Sequence, residues 1–407
     1  VSDINGEYMG SDFQVYKTKG KNQYSSFSVW DTYRTQSQLV AMLYPKESSE
    51  MMQSLVDFAE QSGGYGRWIL ANIETGIMQG DPTSILIANS YAFGATNFDV
   101  KQAYYHMKRG ATIPRLRSQN QEIRPHLTEY LRDGHTFASM MLEYTSADFA
   151  IGQFAKQALN NKEDAEYFIN RSQNWKNIYN PKNNWLNSKH SNGKWKDIEH
   201  DWREATYKNY FWTVPYNLKG LIDTIGGSKV AVKRLDTLFE RLDASYEDDW
   251  FAAGNEPDFQ VPWIYNWTDT PYKTSEVIHR VFNDMYTSKP TGLPGNDDLG
   301  TMGAWYVYAS IGLYPMIPGV AGFSINTPQF EKVTISLPKG VLIINGGDTE
   351  ASYIESLKWN GKSYNSTWVD WNDIKNGGKF DFKISKKPNK NWGKKEIPPS
   401  YNSININ

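Results

Sequence analysis

Helical periodicity is the feature that most constrains the fold of this chain, because it dominates from about residue 29 to about residue 312 of the 407 residues. One predicted helix runs from about Ser49 to Gln61, and the Gly63-Gly64 pair that follows ends it. We predict further helices at about 88–95, 100–110, 136–159, 162–177, 208–224, 228–243, 273–286 and 300–312. This many amphipathic helices joined by loops favours helical hairpins arranged in a ring, an (α/α) barrel whose loops gather at one end.

Strand signals appear only late in the chain. Apolar residues alternate with polar ones at 333–337 and 380–384, and a short apolar run lies at 341–344. The fold class is therefore mainly α with a small C-terminal β appendage. We predict three parts: a polar lead-in at 1–28, an (α/α) barrel catalytic domain at 29–318, and a β-containing appendage with an irregular tail at 319–407.

The charge balance excludes several classes of partner. There are 43 basic and 45 acidic residues, a net charge of -2, so we expect no nucleic acid as a partner.

No apolar stretch approaches the length of a membrane span. The chain contains no cysteine, which excludes disulfides and thiolate metal sites. It starts with Val1 and shows no signal peptide, so we expect a mature or cut piece of a protein.

Aromatic residues and carboxylates concentrate in the loops. The 15 Trp, 26 Tyr and 18 Phe residues make up 14% of the chain, and sugar faces stack on such rings. Cleavage of a glycosidic bond needs one carboxylic acid to protonate the leaving oxygen and a second carboxylate to activate water or to attack carbon. Five loop segments supply candidates: residues 28–34, 74–81, 201–204, 254–257 and 292–298.

Each of these segments also has a purely structural explanation. A Gly-Asn-Asp-Asp sequence such as 295–298 is an ordinary turn or helix cap between helices. Asp31 could cap a helix beside a core Trp30, and Arg203-Glu204 could be a solvated pair at a helix end. Five such segments in one helical chain, each at a helix boundary, favour a shared catalytic purpose.

The order of these motifs resembles glycoside hydrolase family ninety-two. The resemblance covers roughly residues 3–345 and rests on Trp30-Asp31-Thr32-Tyr33-Arg34, Glu74-Thr75 with Gly80-Asp81, Glu204, Gly254-Asn255-Glu256-Pro257, Gly292-Leu293-Pro294-Gly295-Asn296-Asp297-Asp298 and Ala304-Trp305-Tyr306. It implies an (α/α)6 barrel and an exo-α-mannosidase that inverts anomeric configuration and binds calcium. The α-1,2 linkage is the expected preference, on N-glycan or mannan oligosaccharides ending in mannose. Members of the family carry an N-terminal β-sandwich, which we expect to be missing here.

The resemblance also implies roles for individual residues. Glu204 matches the general acid and Asp298 the general base, with Asp297 as the fallback base. An inverting pair predicts roughly 6.5–9.5 Å between the two carboxyl groups. Trp30 and Asp31 match residues that hold the terminal mannose, although core packing is the alternative for Trp30.

The remaining residues lie near these acids. Asn255 and Glu256 are expected to contact the calcium or the next sugar, with Glu256 as the predicted metal ligand. Some relatives have an aspartate where this chain has Asn296, which favours Asp298 as the sole base and leaves Asn296 to donate a hydrogen bond or act as a ligand.

Two other functions stay open. The chain could be a non-catalytic mannose-binding fragment, or another (α/α)6 barrel enzyme such as a different glycosidase or a polysaccharide lyase. His residues lack metal-ligand spacing, so a zinc mannosidase is disfavoured. We expect a secreted or cell-surface bacterial protein.

Overall fold

The structure is a computed structural model that describes residues 1–18 and 20–404. The chain forms two compact units. The first unit contains Val1–Arg203 and Pro318–Val320, and the second contains Glu204–Ile317 and residues 321–404. The predicted domain boundaries at 28/29 and 318/319 stay a prediction.

The first unit is mainly helical. Its α-helices are α1 (Val29–Thr32), α2 (Gln36–Leu43), α3 (Pro45–Ser62), α4 (Pro82–Ala92), α5 (Val100–Thr112), α6 (Leu127–Asp133), α7 (Ala138–Leu159) and α8 (Lys162–Ser172), followed by a 3₁₀ helix at Gln173–Ile178. Its short strands pair as antiparallel hairpins: β1 (Glu7–Met9) with β2 (Val15–Lys17), β3 (Ile69–Leu70) with β4 (Ile73–Glu74), β5 (Arg117–Ser118) with β6 (Gln121–Glu122), and β7 (Tyr179–Asn180) with β8 (Trp185–Leu186).

Local sequence explains where these helices begin and end. Helix α3 starts with Pro45, which suits the first helical turn, and ends at Gly63, whose φ of 101° a left-handed cap requires. Asp81 caps α4 and Asp99 caps α5, each by accepting a hydrogen bond from a backbone N–H of the first turn. The helices predicted at 49–61 and 100–110 are therefore confirmed, and the first begins four residues earlier than expected.

Helix α7 lies at the centre of the first unit and is buried along most of its length. It packs against α4, α5 and α8. Its residues Ala147, Ala150, Ile151 and Phe154 belong to the hydrophobic core of the unit. A helix that neighbours cover on all sides is buried around its circumference, so its polar residues need partners inside the unit.

The second unit combines helices with the late strands. Its helices are α9 (Tyr207–Tyr210), α10 (Leu218–Thr224), α11 (Ser228–Leu238), α12 (Tyr272–Met285), α13 (Thr301–Ile311) and α14 (Trp371–Ile374), with 3₁₀ helices at Pro215–Asn217, Glu256–Asp258 and Val261–Trp267. Its strands are β9 (Leu313–Tyr314), β10 (Gly322–Ile325), β11 (Lys332–Leu337), β12 (Gly340–Asn345), β13 (Tyr353–Trp359), β14 (Lys362–Ser363), β15 (Trp368–Asp370) and β16 (Gly378–Ser385).

Two sheets organise these strands. The larger has the order β11-β12-β16-β13-β14, with β12 and β16 parallel and the other pairs antiparallel, and the smaller places β10 between β15 and β9. The buried face of the larger sheet includes Leu342, Ile344, Leu357 and Phe380. The strands predicted at 333–337, 341–344 and 380–384 are confirmed.

The helix predicted at 208–224 is wrong as a single element. The chain there forms α9, the 3₁₀ helix Pro215–Asn217 and then α10. Pro215 lacks a backbone N–H and clashes with the preceding turn, and the Asn217 side chain then caps α10. Among the described residues, none of the helices is both long and apolar enough to cross a bilayer.

Candidate active site

Three acidic residues from separate segments of the second unit act electrostatically on one tyrosine. Burial raises the pKa of the Tyr246 phenol, and the negative charges of Glu204, Glu256 and Asp298 raise it further. Coulomb interactions weaken with distance, so all three acids lie near this ring. The structure thus brings the predicted acid, the predicted base and the predicted metal ligand to one place.

Asp298 and Glu256 are in direct contact through a hydrogen bond between their carboxyl groups. Burial raises the pKa of Asp298 above its usual range, the Glu256 bond opposes this shift, and the charge of Asp297 adds to it. Two carboxylates that share a site repel each other unless a proton or a cation lies between them. The Glu256–Asp298 pair is therefore suited to bind a proton or a cation between its carboxyl groups.

Two glycines let the loops of Glu256 and Asp298 approach each other. A methyl group added to Gly254 would lie 2.5 Å from the Pro294 carbonyl oxygen, and one added to Gly295 would lie 2.2 Å from the Gly254 carbonyl oxygen. These neighbours are backbone atoms that cannot swing aside. The glycines of the 254–257 and 292–298 motifs are thus needed for close backbone contact.

Asn255 links the same loop to the predicted acid. Its side-chain Nδ2 donates a hydrogen bond of 2.7 Å to the carbonyl oxygen of Glu204, and the residue is buried. Glu256 is also buried, whereas the Glu204 and Asp298 residues are half-buried. A half-buried position is what an acid or base needs to reach a substrate.

Asp297 has a structural task in this arrangement. Its Oδ2 accepts a hydrogen bond of 3.0 Å from the Gly300 N–H, and its Oδ1 accepts one of 2.8 Å from the Gly303 N–H. Both oxygens thereby cap the start of α13. Asn296, one residue earlier, is exposed.

Trp30 and Asp31 lie in the first unit. The Trp30 side chain is fully buried, and its indole Nε1–H donates a hydrogen bond of 3.0 Å to Glu143 Oε1. This burial favours core packing, the alternative stated for Trp30. Asp31 Oδ2 accepts hydrogen bonds from Ser28 Oγ at 2.9 Å and from Trp68 Nε1 at 3.1 Å.

The two acids of the 74–81 motif stabilise local structure in the first unit. Glu74 accepts hydrogen bonds from the backbone N–H groups of Arg67, Trp68 and Gly76, which shapes the β3–β4 hairpin. Asp81 caps α4 and forms an ion pair of 2.9 Å with Arg124. These two acids are used in the fold of the unit.

Comparison with known families decides what the chain is related to. Residues 1–386 match the glycosyl hydrolase family 92 catalytic domain. The chain belongs to this family. The resemblance inferred from the motifs is thereby confirmed.

Solved structures of family 92 members share this fold. An α-mannosidase of Bacteroides thetaiotaomicron, solved in complex with mannoimidazole, is 27% identical with a TM-score of 0.90, over 98% of this chain and 56% of its own. An inverting mannosidase of the same organism is 24% identical with a TM-score of 0.88, over 97% of this chain and 58% of its own. Because the identity of this inverting mannosidase is only 24%, its similarity shows a shared fold and no more.

A curated relative is described as an uncharacterized secreted glycosidase of Arthroderma benhamiae. It is 31% identical over 209 residues, which cover 48% of this chain and 26% of the relative. The chain thus spans little more than half of the length of these solved relatives and about a quarter of the curated one.

Sequence reasoning missed Tyr246, Trp68 and Glu143. Tyr246 stands beside an acidic run in a loop, a pattern with many ordinary explanations. Glu143 gave a better signal, because it is an isolated acid between Leu142 and Tyr144 in a predicted helix with few charges. Acidic residues are almost never fully buried unless they are paired, so this one could have been flagged.

Proposed function

We propose that this family 92 protein hydrolyses terminal α-linked mannose, with inversion of the anomeric carbon. The observation that carries the proposal is that Glu204, Glu256 and Asp298 all act electrostatically on Tyr246, which supports a shared site for the proposed acid and the proposed base. The similarity to a 27% identical α-mannosidase solved with mannoimidazole supports mannose as the sugar. We extend the proposal to α-1,2-linked mannose of N-glycan or mannan oligosaccharides.

Glu204 is the proposed general acid and Asp298 the proposed general base. Glu204 would protonate the leaving glycosidic oxygen while Asp298 takes a proton from the attacking water. The two carboxyl groups of an inverting enzyme should be about 6.5–9.5 Å apart, which leaves room for that water. Asp297 is less suited to be the base, because its oxygens accept hydrogen bonds from the backbone N–H groups of Gly300, just before α13, and Gly303, in its first turn.

A calcium ion suits the acids of this site, and Glu256 is its proposed ligand. The Glu256 carboxylate is a hard oxygen donor, and the Asp298 carboxyl group in hydrogen-bond contact with it adds negative charge that favours a divalent cation nearby. When bound, calcium would supply a Lewis-acidic centre that orients neighbouring hydroxyl groups of the sugar. Glu256 would hold the ion, and Asp298 would keep its proton-accepting role.

The remaining site residues would position the sugar. Asp31, Asn255 and Asn296 are the proposed hydrogen-bonding residues, whereas the burial of Trp30 favours a supporting role. The (α/α)6 barrel and an additional N-terminal β-sandwich stay part of what the family resemblance implies. The secreted curated relative supports an extracellular location, and a bacterial source is proposed on the resemblance.

Release of mannose from α-1,2-mannobiose by the purified protein tests the proposal. We expect Glu204→Gln and Asp298→Asn each to lower kcat by about 10²–10⁴-fold, the usual contribution of a general acid or base. Glu247→Gln provides a control, because Glu247 is an exposed acid next to Tyr246. NMR spectroscopy of the first product should show the β-anomer.

Two results would contradict this function. Mannose binding without turnover in the wild-type protein would support the non-catalytic module instead. Initial release of the α-anomer would indicate a retaining mechanism, in which the two carboxyl groups lie about 5 Å apart.

A further inference from the structure

Glu143 of helix α7 holds the Trp30–Arg34 segment from a distant position in the chain. Its side chain is fully buried, and Oε1 accepts hydrogen bonds from Trp30 Nε1 at 3.0 Å and from Arg34 Nη2 at 3.4 Å. The Tyr33 hydroxyl also forms a hydrogen bond with this carboxyl group. One carboxylate therefore forms hydrogen bonds with three side chains of the Trp30–Arg34 segment.

Arg34 makes further contacts within the same segment. Its Nε donates a hydrogen bond of 3.2 Å to the Trp30 carbonyl oxygen, and its guanidinium carbon lies 4.7 Å from the ring centres of both Trp30 and Tyr33. The planar, permanently charged guanidinium suits such stacking and multiple bonding. The segment is thus bound both to itself and to α7.

Gly80 provides the space for Glu143. It has a φ of 80°, and a methyl group there would lie 2.7 Å from both Cβ and Oε2 of Glu143. A larger residue at position 80 would push against the buried carboxylate. The glycine of the Gly80-Asp81 motif therefore has a use that the sequence did not reveal.

Asp31 lies within the segment that Glu143 holds. The Arg34 backbone N–H donates a hydrogen bond of 3.1 Å to the Asp31 carbonyl oxygen, while Ser28 and Trp68 bond its carboxylate. The backbone and the carboxylate of Asp31 are thus fixed by different partners. Such double fixation sets the direction in which a carboxylate presents its oxygens.

A buried ion pair is weak evidence of a purely stabilising role. Apolar residues of similar volume often replace such a pair without loss of stability, because desolvation offsets the attraction between the charges. Hydrogen bonds to a fixed carboxylate do add direction, which apolar packing does not. The charge at position 143 is therefore better explained by the geometry it imposes on residues 30–34.

We propose that Glu143 is a positioning residue that orients Asp31 for binding the terminal sugar. The inference rests on the proposed function, in which Asp31 binds mannose. It adds a residue 112 positions away from Asp31 in the chain, on another helix. Glu143 itself touches Trp30, Tyr33 and Arg34, and acts on the sugar only through them.

Steady-state kinetics of Glu143→Gln on α-1,2-mannobiose test this proposal. The variant keeps the size of the side chain but removes the charge opposite Arg34. We expect KM to rise about tenfold while kcat changes much less, since binding that is equal in ground and transition states appears in KM. Asp148→Asn is the matched control, because Asp148 is equally buried on α7 but bonds Arg124, Arg171 and Tyr130.

A double-mutant cycle shows whether Glu143 acts through Asp31. In an Asp31→Asn background, Glu143→Gln should raise KM by less than about twofold, because the group it positions is already altered. Equal effects of Glu143→Gln in both backgrounds would overturn the proposal. An equal rise of KM in Asp148→Asn would also overturn it, because loss of any buried charge would then suffice.

Two further measurements keep the test decisive. If Glu143→Gln does not fold, Arg34→Lys replaces it, since lysine keeps the positive charge but loses the Nε bond to Trp30, and it should raise KM in the same way. An unchanged KM in folded Arg34→Lys would count against the proposal. Wild-type protein that neither binds nor cleaves the disaccharide would instead refute the proposed function itself.

Discussion

Both proposed catalytic acids have backbone conformations that their residue types rarely adopt. Glu204 has a φ of 51° and Asp298 a φ of 45°, both in the left-handed region that favours glycine. Such strain costs about 1–3 kcal/mol and persists where surrounding contacts impose it, which happens often at functional sites. The contact between Asn255 and the Glu204 carbonyl is one such restraint.

The charge of Asp297 should influence the pH at which the enzyme loses activity in acid. Burial raises the pKa of Asp298, and the neighbouring Asp297 charge raises it further. A base must be ionised, so activity falls as the pH drops through this pKa. In Asp297→Asn the Asp298 pKa should decrease, which moves the acidic limb of kcat/KM to lower pH by less than about one unit.

The pH profile of kcat/KM checks this prediction. Asp284→Asn is a suitable control, because Asp284 is an exposed acid on α12. An acidic limb that stays in place, or one that moves to higher pH, would contradict the assignment of Asp298 as the base.

His106 should make the protein less stable in weak acid. It is buried beside the Tyr65 and Tyr105 rings, and neither ring nitrogen has a hydrogen-bond partner among the residues the structure describes. Burial, with help from the Arg109 charge, lowers its pKa to about 4.

The sign of the effect follows from proton binding. The unfolded chain, with a His pKa of about 6.5, binds a proton between pH 6.5 and 4 that the folded state does not bind, so stability falls as the pH drops through this window. We expect a loss of about 2 kcal/mol between pH 7 and pH 5 that is absent in His106→Leu. Urea unfolding at both pH values measures it, and an equal loss in the variant would exclude His106 as the cause.

At the scale of elements, α7 depends on the ion pairs of its buried acids. Asp148 bonds Arg124 at 2.8 Å and Arg171 at 2.6 Å, and its side chain is fully buried. Asp148→Asn removes the charge partner of Arg171 and one of the two charge partners of Arg124, which also pairs with Asp81, and should cost about 3–5 kcal/mol of unfolding free energy. Asp164→Asn, which breaks the pair between the half-buried Asp164 and the exposed Lys108, should cost less than about 1 kcal/mol.

Urea unfolding of these two variants decides the point. Similar losses in both would mean that burial does not govern the strength of the pairs. The comparison is direct, because α7 and α8 pack against each other within the same unit.

The contact between α7 and α8 should not tolerate a methyl group at Gly152. Alanine is normally favoured over glycine inside a helix by about 1 kcal/mol. Here the added carbon would lie 2.6 Å from Ile169 Cγ1 and 3.0 Å from the Ala165 carbonyl oxygen. Overpacking against a backbone atom should prevail, so we expect Gly152→Ala to lose about 1–3 kcal/mol of stability by chemical denaturation. A stability gain would show that the helices can move apart.

At the scale of the whole molecule, calcium should raise the temperature of unfolding. A ligand that binds only the folded state stabilises it by mass action. We expect the Tm to fall when a chelator removes calcium and to recover when calcium is returned. Glu256→Gln should abolish this response, whereas Glu247→Gln should keep it. A calcium-independent Tm in the wild-type protein would refute the metal site.

The main elements of the fold could be predicted because their signals are local. Periodicity and caps indicated α7 and the strands β11, β12 and β16 within a few residues. The same reasoning joined α9 and α10 into one helix, because apolar spacing continues through Pro215 and hides the break.

The candidate site could be predicted only in part. Residue types in the 254–257 and 292–298 loops indicated carboxylate chemistry, but the order of motifs had to be matched to a family before roles could be given. Nothing in the spacing shows that Gly254 and Gly295 touch, and that contact brings Glu256 to Asp298.

The sequence by itself therefore determined the helical character, the late strands and the family, since these depend on neighbouring residues and on motifs read in order. The tertiary structure decided which acids meet, that Asp297 caps a helix, and that Glu143 anchors Trp30 from 113 residues away. The physical reason is that a pair contact depends on how distant segments pack, and packing leaves no periodic trace in either segment.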